Sequence, residues 1–210
     1  MDTTAAASPA WEDSRRAFAE AAQWFVGTVA LVADRWGEPG LGEWDVRALV
    51  GHTSRSLLTV ESYLARPAER VEVASAPHYY RATRAISSGP EVAQRGRDAG
   101  VALGEDPAGA VAAIAARVVP LVDGSDPAAL LTTVAGGMRL ADYLPTRTFE
   151  LVVHTTDLAA ALSVPAAVPP VAATQALHLV AALAVEDGHA APLLLAVTGR
   201  APLPPGFSVL

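Results

Sequence analysis

Arg147, Glu150, His154 and Asp157 follow one another at spacings of three, four and three in RTFELVVHTTDLAAAL, residues 147–162. On an α-helix these spacings gather the four side chains on one side, and residues four apart lie about 5–6 Å apart at Cβ. Glu150 and His154 can therefore aim at one metal ion. Two ligands from one turn do not complete a site, because catalytic zinc takes three protein ligands plus water. His52, in VRALVGHTSRS, is the third candidate, on a helix that a bundle can bring against the first. Two neutral imidazoles and one carboxylate would lower a divalent ion's charge from +2 to about +1 and leave it Lewis acidic. Asp157 is placed to accept the other ring N–H of His154 or to shape the pocket. Arg147 is placed either to hold a substrate carboxylate or to pair with Glu150.

The same spacing also suits a plain solvated face, with Glu150 and His154 as an i,i+4 pair. Against that stands the rest of the helix. Phe149, Leu151, Val152, Val153 and Leu158 cover much of its circumference. A helix so covered is packed on several sides, and its charges need partners. His78, His178 and His189 lack such a setting and read as surface or satisfied core histidines.

The chain has 210 residues, room for one domain with a substantial core, or for a domain with a small appendage. Apolar residues make up 51 % and charged residues 18 %, which marks a folded chain. Alanine, the best helix former, abounds. Twenty-two acidic against fifteen basic residues give a net charge of −7, the wrong sign for a protein that neutralises phosphates, so no nucleic-acid partner is expected. The richest basic run, YYRATRAISSGPEVAQRGRDAG, is interrupted by acids and breakers and reads as solvated surface. Cysteine is absent, which rules out disulfides, thiolate ligands and a cysteine nucleophile; thiol chemistry here needs a thiol cofactor. The start, MDTTAAASPAWEDSRR, has neither a basic n-region nor a continuous apolar stretch. No apolar run reaches about 18 residues. The expectation is a cytoplasmic protein with no membrane partner.

These residues need elements to position them. Phe18, Ala22, Phe25, Val29 and Val32 or Ala33 give residues 11–36 an amphipathic helical stripe, stopped by GEPGLGE. A second helix, DVRALVGHTSRSLLTVESYLA, has Asp45 as its cap and Val46, Leu49, Val50, Thr53, Leu57, Val60 and Leu64 as its buried side. In residues 67–100, VEVAS reads as a short strand or extended connection and HYYRATRAI as helical, ended by Ser-Ser-Gly-Pro. A helix restarts over 107–119 with Pro107 in its first turn. GSDPAALLTTVAGGMRLADYL reads as a short helix and a Gly-Gly interruption before the helix of the opening paragraph, with Pro145 in that helix's first turn. A fifth helix is expected over 171–186, and one or two strands in APLLLAVTGRAPLPPGFSVL. The simplest fold is mainly α, a bundle. No strand–helix alternation, GxGxxG or GxxxxGK[ST] supports a nucleotide-binding α/β fold.

GLGEWDVRALVGHTSRS and RLADYLPTRTFELVVHTTDLAAAL resemble the two signatures of the mycothiol-dependent maleylpyruvate isomerase family. The first has a tryptophan and a capping residue before a helix with an embedded histidine. The second has a glutamate and a histidine four apart, followed by Asp-Leu. LLLAVTGRAPLP is similar to a C-terminal element of many members, so the likeness runs over most of the chain. The resemblance implies a DinB-like four-helix bundle over residues 1–165, with a short C-terminal helix and strand appendage over 166–210. It places His52, Glu150 and His154 on the family's divalent-metal ligands, normally zinc, and implies mycothiol as cofactor, a thiol of actinobacteria. In the isomerase proper an arginine of a larger C-terminal region assists catalysis, and Arg200 in TGR is the matching candidate.

The reading reached is a metal- and mycothiol-dependent isomerase or thiol S-transferase acting on a small electrophilic molecule, an anionic one if Arg147 or Arg200 holds it. Two alternatives remain at this point: a metal-dependent small-molecule hydrolase, and a non-catalytic metal- or ligand-binding bundle. The Ala-rich, weakly charged helices would also allow a homodimer.

Overall fold

The computed structural model describes residues 9–86 and 90–210. Helix α1 (Pro9–Val29), α2 (Val46–Leu64), α5 (Pro107–Asp123) and α6 (Leu140–Ala161) form the bundle. Each of α1 and α2 packs on both α5 and α6. Between them come α3 (Ala76–Thr83) and α4 (Pro90–Ala102), and after them α7 (Pro170–Glu186) and α8 (Ala190–Val197). α4 lies along α2, α7 covers α1 and α6, and α8 packs on α7. The chain is thus a mainly helical, DinB-like four-helix bundle with small additions. None of its described helices is long and apolar enough to cross a membrane.

The apolar periodicity places the bundle helices well. Phe18, Ala22, Phe25, Val29 and Val32 are all buried, although α1 itself ends at Val29 and Ala33 turns the chain with φ 55°. On α2, Val46, Leu49, Val50, Thr53, Leu57 and Val60 are buried and Leu64 packs on the core from its edge. Asp45 caps α2 as expected: its carboxylate accepts a hydrogen bond from the Ala48 amide at 2.7 Å. That satisfies one of the amides a helix start leaves without an intrahelical partner.

Other expectations are corrected. The segment read as a short helix before Gly-Gly is a hairpin, β3 (Leu130–Thr133) and β4 (Gly136–Arg139), antiparallel with Thr133 opposite Gly136. Leu131 and Met138, side by side across the hairpin, are both fully buried. The stretch containing VEVAS is an extended connection laid against this hairpin, with the Glu72 and Val73 amides both donating to the Gly137 carbonyl. A smaller hairpin, β1 (Pro39–Leu41) and β2 (Trp44–Asp45), leads into α2. The strand expected at the C-terminal end is instead α8, and strand occurs in these two hairpins. Pro145 lies inside α6, which starts at Leu140. The basic run, residues 79–100, carries the end of α3 and most of α4, and its arginines are exposed. Residues 1–8 and the Ser-Ser-Gly stop at 87–89 lie outside the described residues.

Candidate metal centre

The bundle crossing of α2 and α6 brings His52, Glu150 and His154 together, with one ligand-capable atom from each within 4.8 Å of the others. Their local frames differ. α6 presents Glu150 and His154 one turn apart, and Leu151, Leu158 and Phe149 around them are buried. His52 sits in the second turn of α2, which Asp45 starts and Trp44 precedes.

Trp44 fixes the outer side of His52. Its indole ring lies against the imidazole, centroids 4.5 Å apart, and its Nε1–H donates to the Ala93 carbonyl of α4 at 2.9 Å. α4 can come this close because residue 96 is glycine: a Cβ there would meet the indole at 2.5 Å. On the inner side the His52 ring meets His154 edge to face, centroids 4.8 Å apart.

His154 is held from both ends. Its Nδ1 lies 3.0 Å from an Asp157 oxygen and its Nε2 3.2 Å from Glu150 Oε2. Asp157 thus meets the ring at its second nitrogen, the contact its spacing allows. The other Glu150 oxygen, Oε1, accepts a hydrogen bond from the Tyr80 hydroxyl at 2.7 Å. Tyr80, from α3, was not legible as a site residue. It is distant in sequence, and the only signal was a tyrosine pair in an otherwise polar, basic segment.

The charges follow from these contacts. Burial works against charging His154, but the hydrogen bonds its ring donates to Asp157 and Glu150 outweigh it and raise its pKa to about 9. Burial likewise opposes the Glu150 carboxylate, and is outweighed by His154 and the nearby Arg147, which bring it down to about 2. His52 has no such support: burial, then the charge of His154, lowers it to about 4, so it stands neutral.

Arg147 is buried, with its guanidinium 5.4 Å from the Tyr79 ring centroid and 5.0 Å from that of Tyr143. Its Nε donates to Thr146 Oγ1 at 2.9 Å. Packed between two aromatic faces, it acts on Glu150 through its field. Arg200 lies in exposed chain beyond α8, and no contact among the described residues joins it to His52, Glu150 or His154. His78 and His178 are exposed, and His189 packs on Phe207.

The donor set fits a divalent cation. Two imidazoles and a carboxylate match the three-ligand composition of catalytic zinc sites. The Nδ1 atom of His52 is buried and has no hydrogen-bond partner among the described residues, an unspent acceptor of the kind a cation uses. The side chains of His154 and Glu150 are partly exposed, by 15 % and 21 %. In comparison with known families, the model described as the mycothiol maleylpyruvate isomerase N-terminal domain matches residues 18–159, which include all three residues. No curated protein and no solved structure matches the chain.

Proposed function

Since the chain belongs to the family of the mycothiol maleylpyruvate isomerase N-terminal domain, we propose that it is a divalent-metal enzyme whose ion, zinc by preference, is held by His52, Glu150 and His154. The observation that carries this is the convergence of the three within 4.8 Å around an imidazole with an unspent nitrogen. The reaction proposed is a mycothiol-dependent isomerisation or thiol transfer on a small electrophilic substrate. The absence of cysteine is compatible with a thiol brought by the cofactor.

A bound divalent ion supplies Lewis acidity, which favours thiolate over thiol near neutral pH. The chain's own residues set the conditions for it. Asp157 holds His154 with Nε2 directed inward. Tyr80 engages Glu150 Oε1 and leaves Oε2 to face the centre, so the carboxylate is disposed to give one oxygen. Arg147 keeps that carboxylate ionised. Three protein donors would leave a divalent ion a place for an exogenous donor. The C-terminal residues 166–210 are proposed as an extension packed on the bundle.

The test is the metal content of untagged protein purified without chelator, followed by mycothiol binding and turnover. About one ion per chain, with turnover that requires mycothiol, supports the reading. No ion even after incubation with zinc would remove its basis, and turnover without the thiol would turn it toward a hydrolase.

The residues behind the ligands give a graded expectation. Asp157→Ala and Tyr80→Phe should each lower zinc affinity by about 10- to 100-fold, the usual cost of losing a partner that orients a ligand. A competitive titration against a chromogenic chelator measures this. Unchanged affinity in both variants would mean that neither contact orients a metal ligand.

A further inference from the structure

A groove of about 440 Å³ opens between α2, α4 and α5. Its α2 wall is made by Gly51, Ser54, Arg55 and Leu58, the i, i+3, i+4, i+7 face of that helix. His52 points about 100° away from Gly51 around the helix, so the groove and the metal centre occupy different faces of α2. The space exists because the residues facing it from α4 and α5 are small, among them Ala99, Ala102 and Ala113. Leu58 and Ile114 give it an apolar wall.

Its charge is opposite to that of the chain. In a protein of net charge −7, the groove is lined by Arg55, Arg95 and Arg117 against Asp98. Arg117 is already engaged, donating to both oxygens of Glu61 at 2.6 and 3.0 Å. Asp98 accepts from the Gln94 amide at 2.7 Å. Arg55 differs from both. It is partly buried, yet makes no ion pair among the described residues, and its charge is felt at His52 and Tyr79. An arginine on the wall of an open space with apolar sides, partly buried and without a carboxylate partner among the described residues, suits an oxyanion.

We propose that this groove binds a small organic anion, an oxyanion group on a compact apolar body, with the oxyanion paired to Arg55 and the body against Leu58 and Ile114. The volume lies in the range of small-molecule sites. This goes beyond the metal centre and does not depend on it.

The experiment is a fluorescence titration of the full-length chain with 8-anilinonaphthalene-1-sulfonate, alongside N-phenyl-1-naphthylamine, which has the same rings without the sulfonate. The sulfonate is expected to bind about tenfold or more tightly than the neutral probe. Arg55→Gln should erase that preference, Arg55→Lys should recover part of it, and Ala113→Phe, which narrows the groove at an exposed position without touching charge, should weaken both probes. Thermal unfolding of each variant shows that the fold is intact. Three results overturn the proposal. One is no binding of the sulfonate, and another is equal binding of the two probes. The third is sulfonate binding indifferent to both Arg55→Gln and Ala113→Phe, which would place the probe elsewhere, for example on the exposed Leu194 and Leu195 of α8.

Discussion

Glu150→Ala should lose divalent-metal affinity by on the order of a thousandfold while the chain stays helical. Glu150 is the one anion among the three donors, and removing one partner of a buried charge pair costs about 3–5 kcal/mol, with each 1.4 kcal/mol worth about a factor of ten. The groups left behind are not wholly abandoned. The Tyr80 hydroxyl still reaches the Thr146 carbonyl at 3.2 Å, His154 keeps Asp157 at 3.0 Å, and Arg147 keeps its Thr146 bond and two ring faces. The metal-free variant should therefore lose only about 1–3 kcal/mol, the cost of a buried polar group deprived of its best partner. Glu150→Gln preserves an acceptor for Tyr80 and should regain much of that stability without regaining the metal. Ion content after dialysis, with far-ultraviolet dichroism and urea unfolding, separates these effects. One tightly held ion per chain in Glu150→Ala would remove Glu150 from the ligand set.

Gly51→Ala is expected to be a strongly damaging small substitution outside the centre, at about 3 kcal/mol. A Cβ on residue 51 would lie 2.5 Å from the Ala99 carbonyl carbon and closer still to the Gly100 amide nitrogen. Those are backbone atoms of α4 and cannot step aside as a flexible side chain would, so the helices must part, at the upper end of what overpacking costs. Gly27→Ala makes the same chemical change on the exposed side of α1, where nothing lies within 4 Å. It should stabilise by about 0.5–1 kcal/mol, the helix propensity gained. Urea midpoints of the two variants should move in opposite directions. Early proteolytic cleavage within α4 in Gly51→Ala would show which contact gives way. A neutral Gly51→Ala would mean that α4 is not seated on α2 as described.

The parts of this molecule that could be read from sequence are those whose information is local. Asp45 announces α2 because a cap acts within three residues, and the apolar repeats of α1, α2 and α6 announce their buried faces. Glu150, His154 and Asp157 were legible because one helix spaces them. Elsewhere the deciding partner is remote. AALLTTVAGGMR looks helical by its leucines and alanines, but Leu131 and Met138 are buried only as a hairpin with the 66–73 connection along it. α4 contains Gly96 and Gly100, poor helix residues in isolation, which are needed because α4 runs directly against Trp44 and α2. Tyr80 joins the site across 70 positions. Of the two tyrosine rings that enclose Arg147, Tyr143 lies one turn back on α6 and is a local neighbour, whereas Tyr79 comes from α3, which no local spacing gives.

Trp44 has a consequence of another kind. Its ring contact with His52 couples an indole, whose emission responds to the charge and orientation of a neighbouring imidazole, to one corner of the centre. The protein thereby carries an optical gauge of its own. A change in the electronic state of that imidazole should shift Trp44 emission, separable from that of the other three tryptophans by comparison with Trp44→Phe, and through the Ala93 bond the same signal should respond to the seating of α4.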